Sequence, residues 1–212
     1  MSRYLLIGLT CIGLSCVGPR APAESVSAGC DRLQVLLDPR LSSGAVEHAW
    51  ASGQPRSEAP AILQLRSCTD QLLDQLVLEA PLARLDPVPL RGAPAPTHLV
   101  SVDLTAAAGS YNGPLTIPVQ VQNHHLLRVA ATGPDGHVEP IQLALTGKAA
   151  WKKISVGSVD DLLSVSCQPE GDSFVIFYRR YHPTRDGWRM LVRSKPGFWE
   201  SDGEFPEIRR FP

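Results

Sequence analysis

The residues of this chain most able to do chemistry are arginines set among aromatic rings. Phe174, Phe177, Tyr178, Tyr181, Trp188, Phe198, Trp199, Phe205 and Phe211 crowd one stretch, although aromatics are only 6% of the whole. Arg179, Arg180, Arg185, Arg189, Arg193 and Lys195 are interleaved with them. A guanidinium is a planar fork of donors that fits a carboxylate or phosphate, and aromatic rings stack on sugars or cations. In a strand over Trp188 to Ser194, alternation sets Trp188, Met190 and Val192 on one face and Arg189, Leu191 and Arg193 on the other. Arg179 and Tyr181 of the neighbouring strand are expected to join Arg189 and Arg193 in one platform, a binding site for an acidic glycan or an acidic protein surface. The competing reading is a solvated sheet face, with Glu200, Asp202, Glu204 and Glu207 as ion-pair partners. The Gly197-Phe198-Trp199 segment has a structural alternative of its own, folding back over a sheet end.

Other chemistry is weaker. His124 and His125 are adjacent, and neighbours on a strand point to opposite faces, so they do not share a metal as an H-x-H pair would. His98, His137 and His182 complete the candidates; no zinc, cofactor or calcium motif accompanies them, and no cofactor is expected. Gly109-Ser110-Tyr111-Asn112-Gly113 approaches a hydrolase G-x-S-x-G but carries serine in the wrong place and reads as a turn. Cys167 falls on the same strand face as Leu163 and Val165, which makes it a small core residue rather than a nucleophile.

The elements that must position these groups are strands. Leu99 to Leu104 alternate, as do Leu115 to Gln122, where Pro118 cannot donate to a ladder and points to an edge strand or a bulge. Leu127, Val129 and Ala131 lead into Gly133-Pro134-Asp135-Gly136 and on to Ile141, Leu143 and Leu145, a hairpin with turn chemistry in place. Leu163, Val165 and Cys167 alternate with Ser164, Ser166 and Gln168; turns at Glu170 to Asp172 and His182 to Gly187 then give a three-stranded meander. The expected fold is mainly β: an antiparallel sandwich of immunoglobulin-like or similar kind over 98–212, without the two-cysteine and tryptophan pin.

Before it, 24–80 reads as a small helical segment. Leu33, Leu36 and Leu37 share one helical face and Val46, Ala49 and Trp50 another. Thr69 as cap, Asp70 in the first turn and Leu72, Leu73, Leu76 and Val77 as the apolar face make the best single helix, ended by Pro81. Five prolines in 81–97 suggest an extended linker. Residues 1–23 have the form of a signal peptide: Arg3, an uncharged apolar run from Tyr4 to Val17 too short to span a bilayer, and the A-x-A site Ala21-Pro22-Ala23. Cys11 and Cys16 lie inside it, each with glycine where a lipoprotein signal carries leucine, which argues against a lipid anchor. Of the remaining cysteines, Cys30 with Cys68 is the expected disulfide, Cys68 with Cys167 the alternative.

A net charge of -1 and 43% apolar residues fit a globular protein without a polyanion-binding excess, so nucleic acid is not an expected partner. Nothing after the signal is long and apolar enough to span a membrane. The function expected is an exported envelope or secreted non-enzymatic binding module. A structural or assembly subunit acting through a strand edge near Pro118 is the alternative, and a hydrolase using His124, His125 or His182 the third.

Overall fold

A computed structural model of the chain describes residues 25–28, 31–38, 59–104, 110–201 and 205. It is mainly β, with three sheets and no helix among the described residues. The first sheet takes β1 (Ser25–Ala28), β2 (Asp31–Leu36), β3 (Ile62–Arg66) and β4 (Leu72–Val77) in sequence order, all antiparallel. The second is built from β5 (Ala83–Leu85), β6 (Thr97–Asp103), β7 (Pro114–Gln122), β8 (His125–Arg128) and β11 (Leu143–Ala144), in the order β11-β7-β6-β5 with β8 also paired to β7. The third contains β9 (Ala130–Thr132), β10 (Val138–Pro140), β12 (Ala149–Val156), β13 (Val159–Glu170), β14 (Ser173–Thr184) and β15 (Gly187–Pro196), in the order β10-β9-β15-β14-β13-β12. Only its β15–β9 contact is parallel among the described ladders, two residue pairs long.

Alternation along β6 and β7 makes the second sheet apolar on both faces. Val100, Val102, Ile117 and Val119 share a core with Leu33, Val35, Leu63 and Leu65 of the first sheet. Leu99 and Leu143, on the opposite face, share another with Leu162, Tyr181, Trp188 and Met190 of the third. Each such buried leucine or valine is worth about 1.5–3 kcal/mol against exposure. Polar ties reinforce the stacking. Asp74 of β4 accepts from the Leu126 backbone N–H of β8 at 2.8 Å, which together with His125 holds its carboxyl below the usual range against the opposing effect of burial. Asp160 of β13 accepts from Arg91, which lies between β5 and β6, at its backbone N, Nε and Nη2 (3.0, 3.1 and 2.8 Å).

Several expectations need correction. The apolar stripe expected to form a helix after Cys68 is strand β4. Asp70 has φ of 64° and turns the chain between β3 and β4, bonding Arg32 at 2.5 Å, instead of opening a helix. The helical spacing of Leu73 and Leu76 comes from a bulge: Leu65 faces Asp74 but Arg66 faces Leu72, so the register slips and both leucines reach the core. Leu33 and Leu36 lie in β2, where Leu33 and Val35 alternate inward. Val46, Ala49 and Trp50 lie outside the described residues, as does the signal segment. The proline-rich stretch 81–97 contributes β5, paired to β6, and buries Leu82, Leu85 and Leu90.

Pro118 is not at an edge. β7 has β6 on one side and β8 with β11 on the other, and Pro118 opposes Leu99 of β6. Its carbonyl accepts from Val129 N on the β8 side, so its nitrogen also points away from β6. It falls where the β11 pairing, at Leu115 and Thr116, has stopped and the β8 pairing, from Val119, has not begun. The missing donor therefore breaks no ladder bond. The hairpin at 133–137 and the meander β13-β14-β15 form where their turn residues stand.

Candidate functional site

The registers of β14 decide which predicted residues meet. Arg179 opposes Ser164 of β13 and Val192 of β15; Tyr181 opposes Leu162 and Met190. Cross-strand partners share a face, and this is the inner face of the third sheet, which packs on the second through Leu162, Tyr181 and Met190. Arg189 opposes His182 and Arg193 opposes Tyr178, on the outer face. The four residues expected to form one platform are thus divided two and two across the sheet. Strand alternation was legible within each segment, but the pairing offset between β14 and β15 was not, and that offset decides the face.

On the inner face, where Leu115 of β7 and Ala144 of β11 from the second sheet meet the third, lies a cleft of about 370 Å³. Ser164, Ser166 and Gln168 of β13, Arg179 and Tyr181 of β14, Glu139 of β10 and Gln142 line it. Arg179 donates from Nη1 to Ser166 Oγ at 3.1 Å and lies 5.2 Å from the centre of the Phe177 ring. Burial pushes the Tyr181 phenol up; Arg179 acts in the opposite sense and Glu139 in the same one. Glu139, Gln142 and the three polar residues of β13 were not singled out from sequence. A signal existed in β13: Ser164, Ser166 and Gln168 alternate with the core residues Leu163, Val165 and Cys167, so they form the polar face of a strand.

The outer face is divided lengthwise. At one end Ala150, Val165, Cys167, Ile176 and Tyr178 form a core that Trp199 and Phe205 cover. The Trp199 backbone N approaches Cys167 Sγ at 3.4 Å, Ser201 N donates to Gly147 O, and buried Lys148 pairs with Glu200 at 3.0 Å and lies 3.6 Å from the Phe198 ring centre. The Gly197-Phe198-Trp199 aromatics therefore close a sheet face. Cys167 is buried and free. Cys68 is disulfide-bonded, which rules out Cys167 as its partner; Cys30 lies outside the described residues.

At the other end of that face, Asp161 is fully buried and holds Arg180 Nε at 2.7 Å and His182 Nδ1 at 2.6 Å. Along β15, Arg189, Leu191, Arg193 and Lys195 are exposed at alternate positions, about 7 Å from one to the next. Lys195 Nζ lies 5.6 Å from the Tyr178 ring centre. Among the described residues no carboxylate pairs with Arg189, Arg193 or Lys195.

Among the described residues His124 and His125 stand at the β7–β8 hairpin of the second sheet and His182 on the third, each with a different carboxylate partner. A carboxylate on Nδ1 orients an imidazole as a general base requires, and the His182 ring has such a partner in Asp161, its one side-chain hydrogen bond among the described residues. His124 and His125 sit in and after the β7–β8 turn, where Asn123 and His124 have φ of 51° and 62°, the two left-handed residues of a type I′ hairpin. They reach Asp31 (2.9 Å) and Asp74 (3.5 Å) of the first sheet. No group of three metal-ligating side chains occurs among the described residues, and no helix long and apolar enough to cross a membrane occurs among them. No family model, curated protein or solved structure matches the chain.

Proposed function

We propose that this chain is an exported, non-enzymatic binding module, an antiparallel β-sandwich of immunoglobulin-like or similar kind that holds an acidic glycan on the outer face of its third sheet. The observation that carries the reading is the row Arg189, Arg193 and Lys195: three exposed cations on one strand face, unpaired with carboxylates among the described residues. Arg180 and His182 flank the row on β14, and the one described acid beside them, Asp161, is buried and already engaged. A linear polyanion laid along β15 would meet cations at three of four alternate residues, with Leu191 and the Tyr178 ring as apolar contact surface.

Export rests on Arg3, the uncharged run Tyr4 to Val17 and the site ending at Ala23. We further propose Cys30 as the partner of Cys68. The β2–β3 register sets Arg32 opposite Arg66, and positions 30 and 68 continue it two residues on; such a bond persists in an oxidising compartment.

The test is calorimetry and column retention on polygalacturonate, a chain of carboxylated sugars, with the wild type and an Arg189→Ser/Arg193→Ser double variant. The wild type is expected to bind, more weakly as salt screens the charges. The variant should melt normally and bind about tenfold more weakly, the equivalent of roughly 1.4 kcal/mol for two exposed contacts. Equal binding by the two proteins would overturn the reading. Concentration-dependent association of the variant, with no glycan effect, would favour an assembly subunit whose β15 charges protect a strand edge.

A further inference from the structure

The inner cleft differs in its charge from the outer face. It contains one guanidinium, Arg179, and one carboxylate, Glu139, among hydroxyls and amides from Ser164, Ser166, Gln142 and Gln168. Among the described residues neither charge has an ion-pair partner, and the two do not pair with each other. Arg179 is held in place, donating to Ser166 and lying against Phe177, so its remaining donors are presented at little further entropic cost. Glu139, half-buried on the short strand β10 of the same sheet, also lines the cleft. Both charges are partly buried and line one concavity of a size that admits a small molecule.

We infer that this cleft binds a small zwitterion, a molecule carrying a carboxylate and an ammonium together, as amino acids, short peptides and amino-sugar acids do. The carboxylate sits on the Arg179 fork, the geometry in which a guanidinium is strongest. The ammonium sits on Glu139, and the hydroxyls and amides of β13 and Gln142 meet the ligand's remaining polar groups. A simple anion would satisfy Arg179 but face Glu139 as a like charge, and a simple cation would do the reverse. Discrimination against both follows from leaving one partly buried charge of the site uncompensated. The site is on the opposite face of the third sheet from Arg189 and Arg193, so it stands or falls independently of the glycan reading.

The experiment is calorimetric titration of the full mature protein with L-glutamine, glycylglycine and glucosaminic acid, followed by N-acetyl-L-glutamine, which lacks the ammonium, and L-glutaminamide, which lacks the carboxylate. At least one zwitterion is expected to bind with a dissociation constant below about 1 mM, which also distinguishes the three sources, and its singly charged analogues at least tenfold more weakly. Arg179→Gln should abolish the advantage of the acid over its amide, and Glu139→Gln the advantage of the free amine over its N-acetyl form. Arg189→Ser/Arg193→Ser should change neither. Glu139 is half-buried on the short edge strand β10 and its variant is expected to fold as the wild type does, so the inference stays testable if Arg179→Gln is unstable. Saturation by none of the three zwitterions, equal binding of the N-acetyl analogue, or an unchanged preference in Glu139→Gln would overturn it.

Discussion

His98 offers the sharpest test of the packing between the first and second sheets. It shares a β6 face with Val100 and Val102, is 1% exposed, and neither ring nitrogen completes a well-formed hydrogen bond, although the Asp86 backbone is near enough to act on it. Burial pushes its pKa down, an effect that Asp86 offsets only in part. The folded protein therefore holds His98 neutral at a pH where the unfolded chain, titrating near 6.5, already takes up a proton. The unfolded state binds more protons in that window, so stability falls as pH falls below about 6.5 and levels off only once the folded-state imidazole protonates. One proton gives a limiting slope of about 1.4 kcal/mol per pH unit, so about 1 kcal/mol is the ceiling on the loss between pH 6.5 and 5.5. In a chain of this size that is about 2–4 °C in Tm. Urea unfolding of the wild type and His98→Phe at both pH values isolates the effect, because every other titrating group is common to the two proteins. The variant should lose less stability than the wild type over that unit, by no more than about 1 kcal/mol. Near pH 7 it should be as stable or more so, since two buried polar atoms without well-formed hydrogen bonds are removed. Identical pH dependences would refute the reasoning, as would an imidazole that titrates near 6.5 by NMR.

Asp160, which is buried, accepts four hydrogen bonds from Arg91 and Ser155, and the Arg91 guanidinium holds its carboxyl well below the usual range. Asp160→Asn should cost about 1–3 kcal/mol at pH 7 in chemical denaturation, the lower part of the range for a paired buried charge because Arg91 is half-exposed. That contribution is present above the unfolded carboxylate pKa near 3.9 and is lost as pH falls below it, so the difference between the two proteins should shrink in acid. Gly113→Ala sets a Cβ 2.0 Å from the Leu145 carbonyl oxygen, which is bound to move the β7–β11 backbone and should lower Tm measurably in calorimetry, by the equivalent of at least about 2 kcal/mol. In intact-mass analysis the mature protein should begin at Glu24 and take up no alkylating reagent while folded. Unfolding should expose one thiol, Cys167, and reduction two more; Trp199→Ala should make Cys167 reactive in the folded protein, and an unreactive Cys167 there would show that the tail does not shield it.

Local chemistry was enough for the β character of the later chain. Alternation in Val100 to Val102, Ile117 to Val121 and Leu163 to Cys167, with glycine and proline at 133–136 and glycine at 171, specifies strands and turns from neighbours in sequence, since both are decided by backbone geometry within a few residues. The burial of Cys167 followed from the same period. Elements whose pattern depended on a distant partner were not legible. Leu73 and Leu76 imitate a helical stripe because β3 pairs with β4 across a bulge, and Pro118 imitates an edge residue because the gap between β8 and β11 lies beside it. The candidate sites failed to appear whole for the same reason. Arginine and aromatic content marked the third sheet, but a one-residue difference in register turns every side chain to the other face. Only the paired structure separated Arg179 and Tyr181 from Arg189 and Arg193, and only the pairing of β10 through β9 and β15 into the third sheet brought Glu139, with Gln142 just after it, to the cleft that Arg179 lines.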